Sequence, residues 1–319
     1  MQLKKIVLIS LCILVYNNHQ PCAAEQVSFN KLKRGDDYLF KYQWLNSSNE
    51  KNAIEFLLPK KQLFTHFRGF KNYKPKMAQE FVALSLKKHF RDNPVDNIKI
   101  AFSNQSGQLT TQISGADNKA INAAYHQVAK LEEQFTEQYL HKNYYHIFTM
   151  DNKRGIKPDH VRIANESVDD LKTVKPVILN IVTVKNIRKV VNFILGFVQS
   201  IPYETLQSRA TSSGAGFNTP LRVLWENKGD CDSKVTLTVA LLRALMPRIK
   251  IALIFIDNHA IFGINVPAQN NETTITFEGT EYVLADPTGP ALMNLGQLTD
   301  ETKNIILSGH YAIEILDDE

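Results

Sequence analysis

The chain has 319 residues, of which 44% are hydrophobic and 22% charged, and its formal net charge is +5. This length is enough for about two domains that fold without disulfide bonds. The basic residues are scattered among acidic ones, which excludes the basic stripe with interleaved aromatic side chains expected of a nucleic-acid-binding protein. Beyond the N-terminus, no segment is apolar over the length that a transmembrane helix needs.

The N-terminus has the pattern of an export signal. Lys4 and Lys5 precede an apolar run at residues 6–15, which is too short for a comfortable transmembrane helix. The small residues that end at Ala24 suit a cleavage site, so residues 1–24 are predicted to be a signal peptide. The mature protein is expected to be periplasmic or secreted, and an uncleaved N-terminal membrane anchor is the alternative.

Cleavage after Ala24 leaves one cysteine. Cys12 and Cys22 go with the signal peptide, and Cys231 remains. Because exported proteins encounter an oxidising compartment, an unpaired thiol that is retained there indicates a function.

The first half of the mature chain is predicted to be an α+β domain at residues 25–150. Its expected elements are a hairpin (38–44 and 53–58), a helix (77–90), two short strands (97–102 and 108–113) and a long helix (118–145). His141 and His146 lie five positions apart, the wrong spacing for two metal ligands on one helix face. No set of residues here indicates a chemistry, so the role of this domain stays open.

Residues 151–185 are predicted to be a linker and lead-in, because the stretch from Asp151 to Asp170 is polar and rich in turn-forming residues. The second domain is expected at residues 186–319. It has a helix (186–200), a loop with two glycines (211–218), a helix that begins near Cys231, and strands at 250–257, 260–266, 273–277 and 280–285. The loop lacks the strand before it and the Gly-Lys-Thr after it that nucleotide binding requires.

Cys231 follows the pair Gly229-Asp230, which reads as a turn and a helix N-cap. A thiol in the first turn of a helix faces unpaired N–H groups and the positive end of the helix dipole, so we expect a lowered pKa and a reactive thiolate. A plain core cysteine is the alternative for the local stretch alone.

His259 and Asp286 stand at the ends of predicted strands and complete the residue types of a thiol triad. An imidazole takes the thiol proton, and a carboxylate fixes the imidazole tautomer. If the two strands pair, about 4.8 Å separates them and the side chains come within hydrogen-bond reach. Taken singly, His259 fits a core histidine and Asp286 a turn residue before Pro287.

Several motifs of the second domain occur in an order that resembles the transglutaminase-like superfamily of papain-type thiol enzymes, in its bacterial and archaeal branch. They lie at residues 197–204, 219–224, 228–232, 241–245, 258–264 and 282–290. The resemblance implies an α+β fold with a cysteine helix packed on an antiparallel sheet, and a triad of Cys231, His259 and Asp286. It also implies that Gln199 helps to form an oxyanion hole beside the N–H of Cys231, with a helix-end surface residue as the alternative. Trp225 could line the cleft or serve packing alone.

The chain departs from the family pattern after the cysteine, where Asp232-Ser233 replaces the Glu-Asp pair of many relatives. In one periplasmic branch of the family, acidic residues at these two positions help to bind calcium. Because Ser233 stands here in place of one of them, no calcium is predicted, and no other metal or cofactor is predicted either. The resemblance does not reach the first half of the chain.

The expected function is therefore an exported thiol enzyme that cleaves or transfers an amide acyl group through a thioester. A cysteine protease or amidase acting on protein or cell-wall peptide is preferred, and a protein-glutamine acyltransferase remains open. The alternative is a non-catalytic binding or scaffold module, because a fold does not by itself confer an activity.

Overall fold

The computed structural model describes residues 25–105, 108–150, 153–182, 186–207 and 216–316. The predicted signal peptide and most of the loop at residues 211–218 lie outside these ranges. The described chain is a mixed α+β structure whose sheets are antiparallel. The predicted α+β class is confirmed at this level.

The first half of the chain contains three small sheets and three helices. Its elements are β1 (Gln26–Arg34), β2 (Asp37–Leu45), β3 (Lys51–Pro59), α1 (Lys60–Thr65), α2 (Pro75–Asp92), β4 (Ile98–Gln105), β5 (Gln108–Gly115), α3 (Asn118–Lys142), β6 (Tyr145–Met150) and β7 (Lys153–Pro158). The predicted hairpins β2–β3 and β4–β5 and the predicted helices α2 and α3 are confirmed. Strand β1 was not predicted.

The second half contains the remaining helices and one five-stranded sheet. Its elements are α4 (His160–Ser167), α5 (Val174–Ile181), α6 (Ile187–Ser200), α7 (Pro220–Glu226), α8 (Cys231–Leu245), β8 (Ile251–Ile256), β9 (His259–Ile264), β10 (Thr274–Phe277), β11 (Thr280–Ala285), α9 (Asp300–Ser308) and β12 (Ala312–Leu316). The sheet order is β10-β11-β9-β8-β12. Strand β9 therefore pairs with β11, as the sequence predicted.

Helix α8 is the central helix of the molecule. Every one of its side chains is buried except that of Asp232. Its start is set by Asp230, whose carboxylate accepts a hydrogen bond from the N–H of Ser233 at 2.9 Å. At its C-terminal end, the Arg243 guanidinium donates to the carbonyl of Leu316 at 2.6 Å, which ties the helix to the edge strand β12. The helix that begins at the cysteine is thus held rigidly at both ends.

The sheet β1–β3 shares one hydrophobic core with helices α6 and α8. Tyr42 and Trp44 of β2 pack their rings against Phe197 of α6, with centroids 4.8 and 5.6 Å apart. The predicted linker at residues 151–185 also contains helices α4 and α5, where His160 is completely buried. The predicted boundary therefore does not separate two hydrophobic cores, because aromatic side chains of the first half complete the core of the second.

The sheet β1–β3 also forms hydrogen bonds to the segment that leads into the cysteine helix. The side-chain amides of Gln26 and Asn227 exchange hydrogen bonds of 3.0 and 2.6 Å. Lys31 Nζ donates to the carbonyl of Trp225 at 2.7 Å, and the Tyr42 hydroxyl donates to the carbonyl of Leu224 at 2.9 Å. Residues 224–227, just before the turn at Gly229, are thus fixed by strands β1 and β2.

Helices α2 and α3 and the β4–β5 hairpin enclose a smaller core of their own. Its buried side chains are Val82, Leu86, Phe90 and Val128.

In the described parts of the chain, no helix combines the length and the apolar character that crossing a membrane requires.

Candidate active site

Cys231 is the first residue of α8 and the one free cysteine within the described ranges. Its Sγ lies 3.5 Å from Oδ1 of Asp232 and 4.0 Å from the carbonyl oxygen of Asn258. The backbone N–H of Ala260 also donates to the sulfur. Because Asn258 and Ala260 flank His259 in the chain, these contacts place the sulfur at the start of β9, beside His259.

His259 and Asp286 are brought together by the pairing of β9 with β11. His259 is the first residue of β9, and Asp286 directly follows the last residue of β11. His259 Nε2 lies 2.7 Å from Oδ2 of Asp286. A hydrogen bond to the anionic carboxylate places the proton on Nε2, so Nδ1 is the nitrogen that can accept a proton.

The charges of this pair reinforce each other. Burial lowers the pKa of the His259 imidazole, but the hydrogen bond and the negative charge of Asp286 outweigh burial, so the net pKa is raised. Burial raises the pKa of Asp286, but the bond to His259 and the backbone N–H of Thr288, which donates to Oδ1 at 2.8 Å, lower it below the ordinary value. The arrangement therefore stabilises the imidazolium that His259 becomes when it accepts a proton.

Cys231 and His259 line a common cavity of about 480 Å³. Its walls include Tyr203, Asp232 and Phe148 of strand β6, so the first half of the chain contributes to it. Asp286 stands behind His259 and is 5% exposed. Cys231 and His259 therefore face the same cavity, while the carboxylate of Asp286 stays away from solvent.

The thiol does not have the low pKa expected from its helix position. Burial raises the pKa of Cys231 well above its ordinary value, and the negative charges of Asp232 and Asp230 raise it further. The two carboxylates flank the cysteine in sequence and oppose the helix dipole. The expectation of a ready thiolate is therefore corrected: the resting thiol is neutral and needs a proton acceptor.

Comparison with known proteins adds little. No family model matches the chain, and no curated protein is similar to it. One solved structure is similar. It is Legionella pneumophila LapG in its EGTA-treated form, with 14% sequence identity and a TM-score of 0.26, covering 43% of this chain and 77% of that chain. At this TM-score, the similarity establishes neither the fold nor the function of this chain.

Gln199 is not placed as a free oxyanion donor. Its side chain is 2% exposed, and its Nε2 donates to the carbonyl of Asp286 at 2.8 Å and to that of Met293 at 2.9 Å. Both amide hydrogens are thus engaged, and the residue is absent from the cavity wall. This geometry argues against the role expected from the sequence and favours one in which Gln199 anchors the strand end that carries Asp286.

A second anchor of this strand end was missed by sequence reasoning. Lys234, one turn after Cys231 in α8, is 0% exposed and donates from Nζ to the carbonyl of Thr288. Burial lowers the pKa of Lys234 to about 7, although the charge of Asp286 raises it. A lysine near the start of a helix gives no sequence signal for this contact, because its partner lies 54 positions away.

Two further side chains have defined places. Trp225 packs against Tyr38 and Phe64, with ring centroids 4.9 and 4.8 Å apart, and it is absent from the cavity wall. It therefore serves packing. Within the described ranges, no three His, Cys, Asp or Glu side chains are close enough together to hold a metal ion.

Proposed function

We propose that this protein is a thiol enzyme that cleaves amide bonds through a thioester on Cys231, with His259 as general base and acid and Asp286 as the residue that orients and stabilises the imidazolium. The observation that supports this most is the 2.7 Å bond between His259 and Asp286, set beside the sulfur at an accessible cavity. A histidine held by a buried carboxylate next to a cysteine is the arrangement of nucleophilic catalysis.

The raised pKa of Cys231 defines how the reaction would begin. The neutral thiol gives its proton to Nδ1 of His259 as Sγ attacks the amide carbonyl, so no free thiolate is needed beside Asp232. Asp286 stabilises the imidazolium through Nε2. The tetrahedral intermediate then collapses, the C–N bond breaks, and the imidazolium returns its proton to the leaving amine.

The second half of the reaction releases the acyl group. His259, again neutral, takes a proton from water as the water attacks the thioester carbonyl, and the thiol of Cys231 is regenerated when the C–S bond breaks. An amine in place of water would give acyl transfer. The cavity wall combines carboxylates with aromatic rings, a lining that fits a peptide segment, so we propose hydrolysis of protein or cell-wall peptide, in the periplasm or outside the cell.

The second candidate is a binding or scaffold module that retains the fold without catalysis. One observation favours it: Cys231 is only 9% exposed, and its pKa is raised by burial and by two flanking carboxylates. A module of this kind would bind peptide in the cavity without turnover.

Alkylation of Cys231 by iodoacetamide tests the proposed function. We expect His259→Ala to slow the reaction at pH 7.5 by roughly 10²-fold, because general base assistance is lost. His310→Ala, which removes an exposed histidine elsewhere, is the control and should react at the wild-type rate. Equal rates for the wild type and His259→Ala would contradict the triad.

Turnover of casein or peptidoglycan stem peptides by the wild type, and not by Cys231→Ala, separates the enzyme from the binding module.

A further inference from the structure

A thioester mechanism needs hydrogen-bond donors for the oxyanion of the tetrahedral intermediate. One donor is in place, since the N–H of Cys231 belongs to the first turn of α8 and has no intrahelical acceptor. The side-chain amide of Gln199 is engaged by two carbonyls and does not reach the cavity wall. A side chain that lines the cavity is therefore a candidate for the second donor.

The backbone holds Tyr203 next to the cysteine turn. The N–H of Gly229 donates to the carbonyl of Pro202 at 3.2 Å, and the N–H of Glu204 donates to the carbonyl of Gly229 at 3.1 Å. These two bonds form a parallel bridge between Tyr203 and Gly229, two residues before Cys231. An ion pair of 3.0 Å between Lys228 and Glu204 also joins these two segments.

The Tyr203 side chain is available to a substrate. It lines the cavity together with Cys231 and His259 and is 50% exposed. Within the described parts of the chain, its hydroxyl has no hydrogen-bond partner. Burial raises the pKa of Tyr203, and the negative charges of Asp230 and Asp232 raise it further, so the phenol keeps its proton.

The wall also carries the polar side chains of Thr205, Gln207 and Asn258, while that of Lys157 is engaged by an ion pair and an aromatic ring. Lys157 Nζ lies 2.7 Å from Oε1 of Glu314 and 3.1 Å from the ring centre of Phe255. Asn258 presents its carbonyl oxygen to Sγ, and an acceptor there would repel an oxyanion.

We propose that Tyr203 is a catalytic residue that donates its hydroxyl hydrogen to the oxyanion on the substrate carbonyl, opposite the N–H of Cys231. This inference rests on the proposed function and makes it more specific. The hydrogen bond strengthens as negative charge develops on the carbonyl oxygen, and it requires no proton transfer from the phenol.

Two reagents that attack the same sulfur separate this role from a structural one. p-Nitrophenyl acetate acylates the thiol through a tetrahedral oxyanion: the C–S bond forms, the ester C–O bond breaks, and the thiol proton passes through His259 to nitrophenolate. Iodoacetamide alkylates the thiol by displacement of iodide, with no oxyanion. We expect Tyr203→Phe to slow acylation by roughly 10- to 100-fold and to leave alkylation unchanged. Tyr203→Trp, which keeps an N–H donor, should restore part of the acylation rate, and Tyr125→Phe on α3 is the matched control.

The outcomes are distinct. If His259→Ala slows both reactions and Tyr203→Phe slows neither, the role of Tyr203 is overturned while the proposed function stands. If Tyr203→Phe slows both reactions equally, the side chain acts on the thiol or on the fold, and the oxyanion role is again overturned. If neither reaction depends on His259, the proposed function itself fails.

Discussion

The buried histidine beneath the cysteine helix gives a prediction whose size can be worked out from the structure. His160 of α4 is 0% exposed, and its ring lies between those of Phe217 and Phe255. Its Nδ1 is 3.2 Å from Oγ1 of Thr236, and its Nε2 has no hydrogen-bond partner among the described residues. Burial lowers the pKa of His160 to about 4, although the charge of Asp232, whose Oδ2 is 3.7 Å away, raises it.

The lowered pKa makes stability depend on pH with a definite sign. The unfolded chain binds a proton at His160 below pH 6.5, whereas the folded chain does not until about pH 4. As pH falls through this window, the unfolded state is favoured and stability is lost. The difference between the folded and the unfolded pKa corresponds to about 3 kcal/mol, most of which is reached by pH 4.5.

Urea unfolding of the wild type and of His160→Phe, from pH 7.5 to pH 4.5, measures this contribution. Phenylalanine keeps the ring contacts and removes the proton site. Other groups that titrate, such as Asp230 with a pKa raised to about 7 by burial and by Asp232, occur in both proteins and cancel in the difference. We expect the free energy of unfolding of His160→Phe to gain about 2–3 kcal/mol on the wild type as pH falls to 4.5.

His126→Phe, which replaces an exposed histidine of α3, is the control and should show a constant difference from the wild type. A difference between the wild type and His160→Phe that stays constant over the whole range would refute the reasoning. A difference of the opposite sign would show that Asp232 holds the imidazolium in the folded protein.

Three further changes test the supports of the site. Lys234→Met should lose free energy of unfolding relative to the wild type as pH rises above about 7, because the folded lysine becomes neutral there while the unfolded one stays charged up to its ordinary pKa of 10.5; a difference in urea unfolding that does not change with pH contradicts this. Gly289→Ala places a Cβ in steric overlap with the carbonyl oxygen of Gln199 and should lower Tm several degrees more than Gly279→Ala, which has a similar φ and open space; equal shifts would exclude the clash. Phe56→Ala should cost about 3–5 kcal/mol in a single calorimetric transition, because Phe56 lies in the shared core; two separate transitions would show independent domains.

The start of the cysteine helix could be predicted from sequence because its causes are local. Asp230 caps the helix through the N–H of Ser233, three residues away. The raised pKa of Cys231 could also have been read there, since Asp230 and Asp232 flank it in sequence. The helix dipole favours a thiolate, but burial and the two neighbouring charges outweigh it.

The pairing of His259 with Asp286 was also within reach of the sequence. Both residues stand at the ends of apolar strands of one antiparallel sheet, in which β11 pairs with β9 although β10 lies between them in the chain. The roles of Gln199 and Lys234 were not within reach, because each depends on carbonyl groups from 54 to 94 positions away that carry no side-chain signature.

The division into domains could not be predicted, for a different physical reason. Strand β1 has charged residues at its end, such as Lys33 and Arg34, and gains its stability from pairing with β2. Helix α4 lies in a stretch that is polar in sequence, yet Ile163 and Ala164 are completely buried there. In both cases tertiary contacts override the local pattern.

The hydrogen bonds between the sheet β1–β3 and residues 224–227 constrain the order in which the protein can fold. Gln26 and Asn227 are separated by 201 positions, and the histidine and carboxylate come later still in the chain. During synthesis, β1 is made long before residues 224–227, to which it forms hydrogen bonds. Closing so long a loop has an entropic cost, which is incurred before the contacts that compensate for it have formed. Cys231 therefore comes to lie near the His259–Asp286 pair only after the chain has been made past residue 286, so a shorter nascent chain lacks the candidate site.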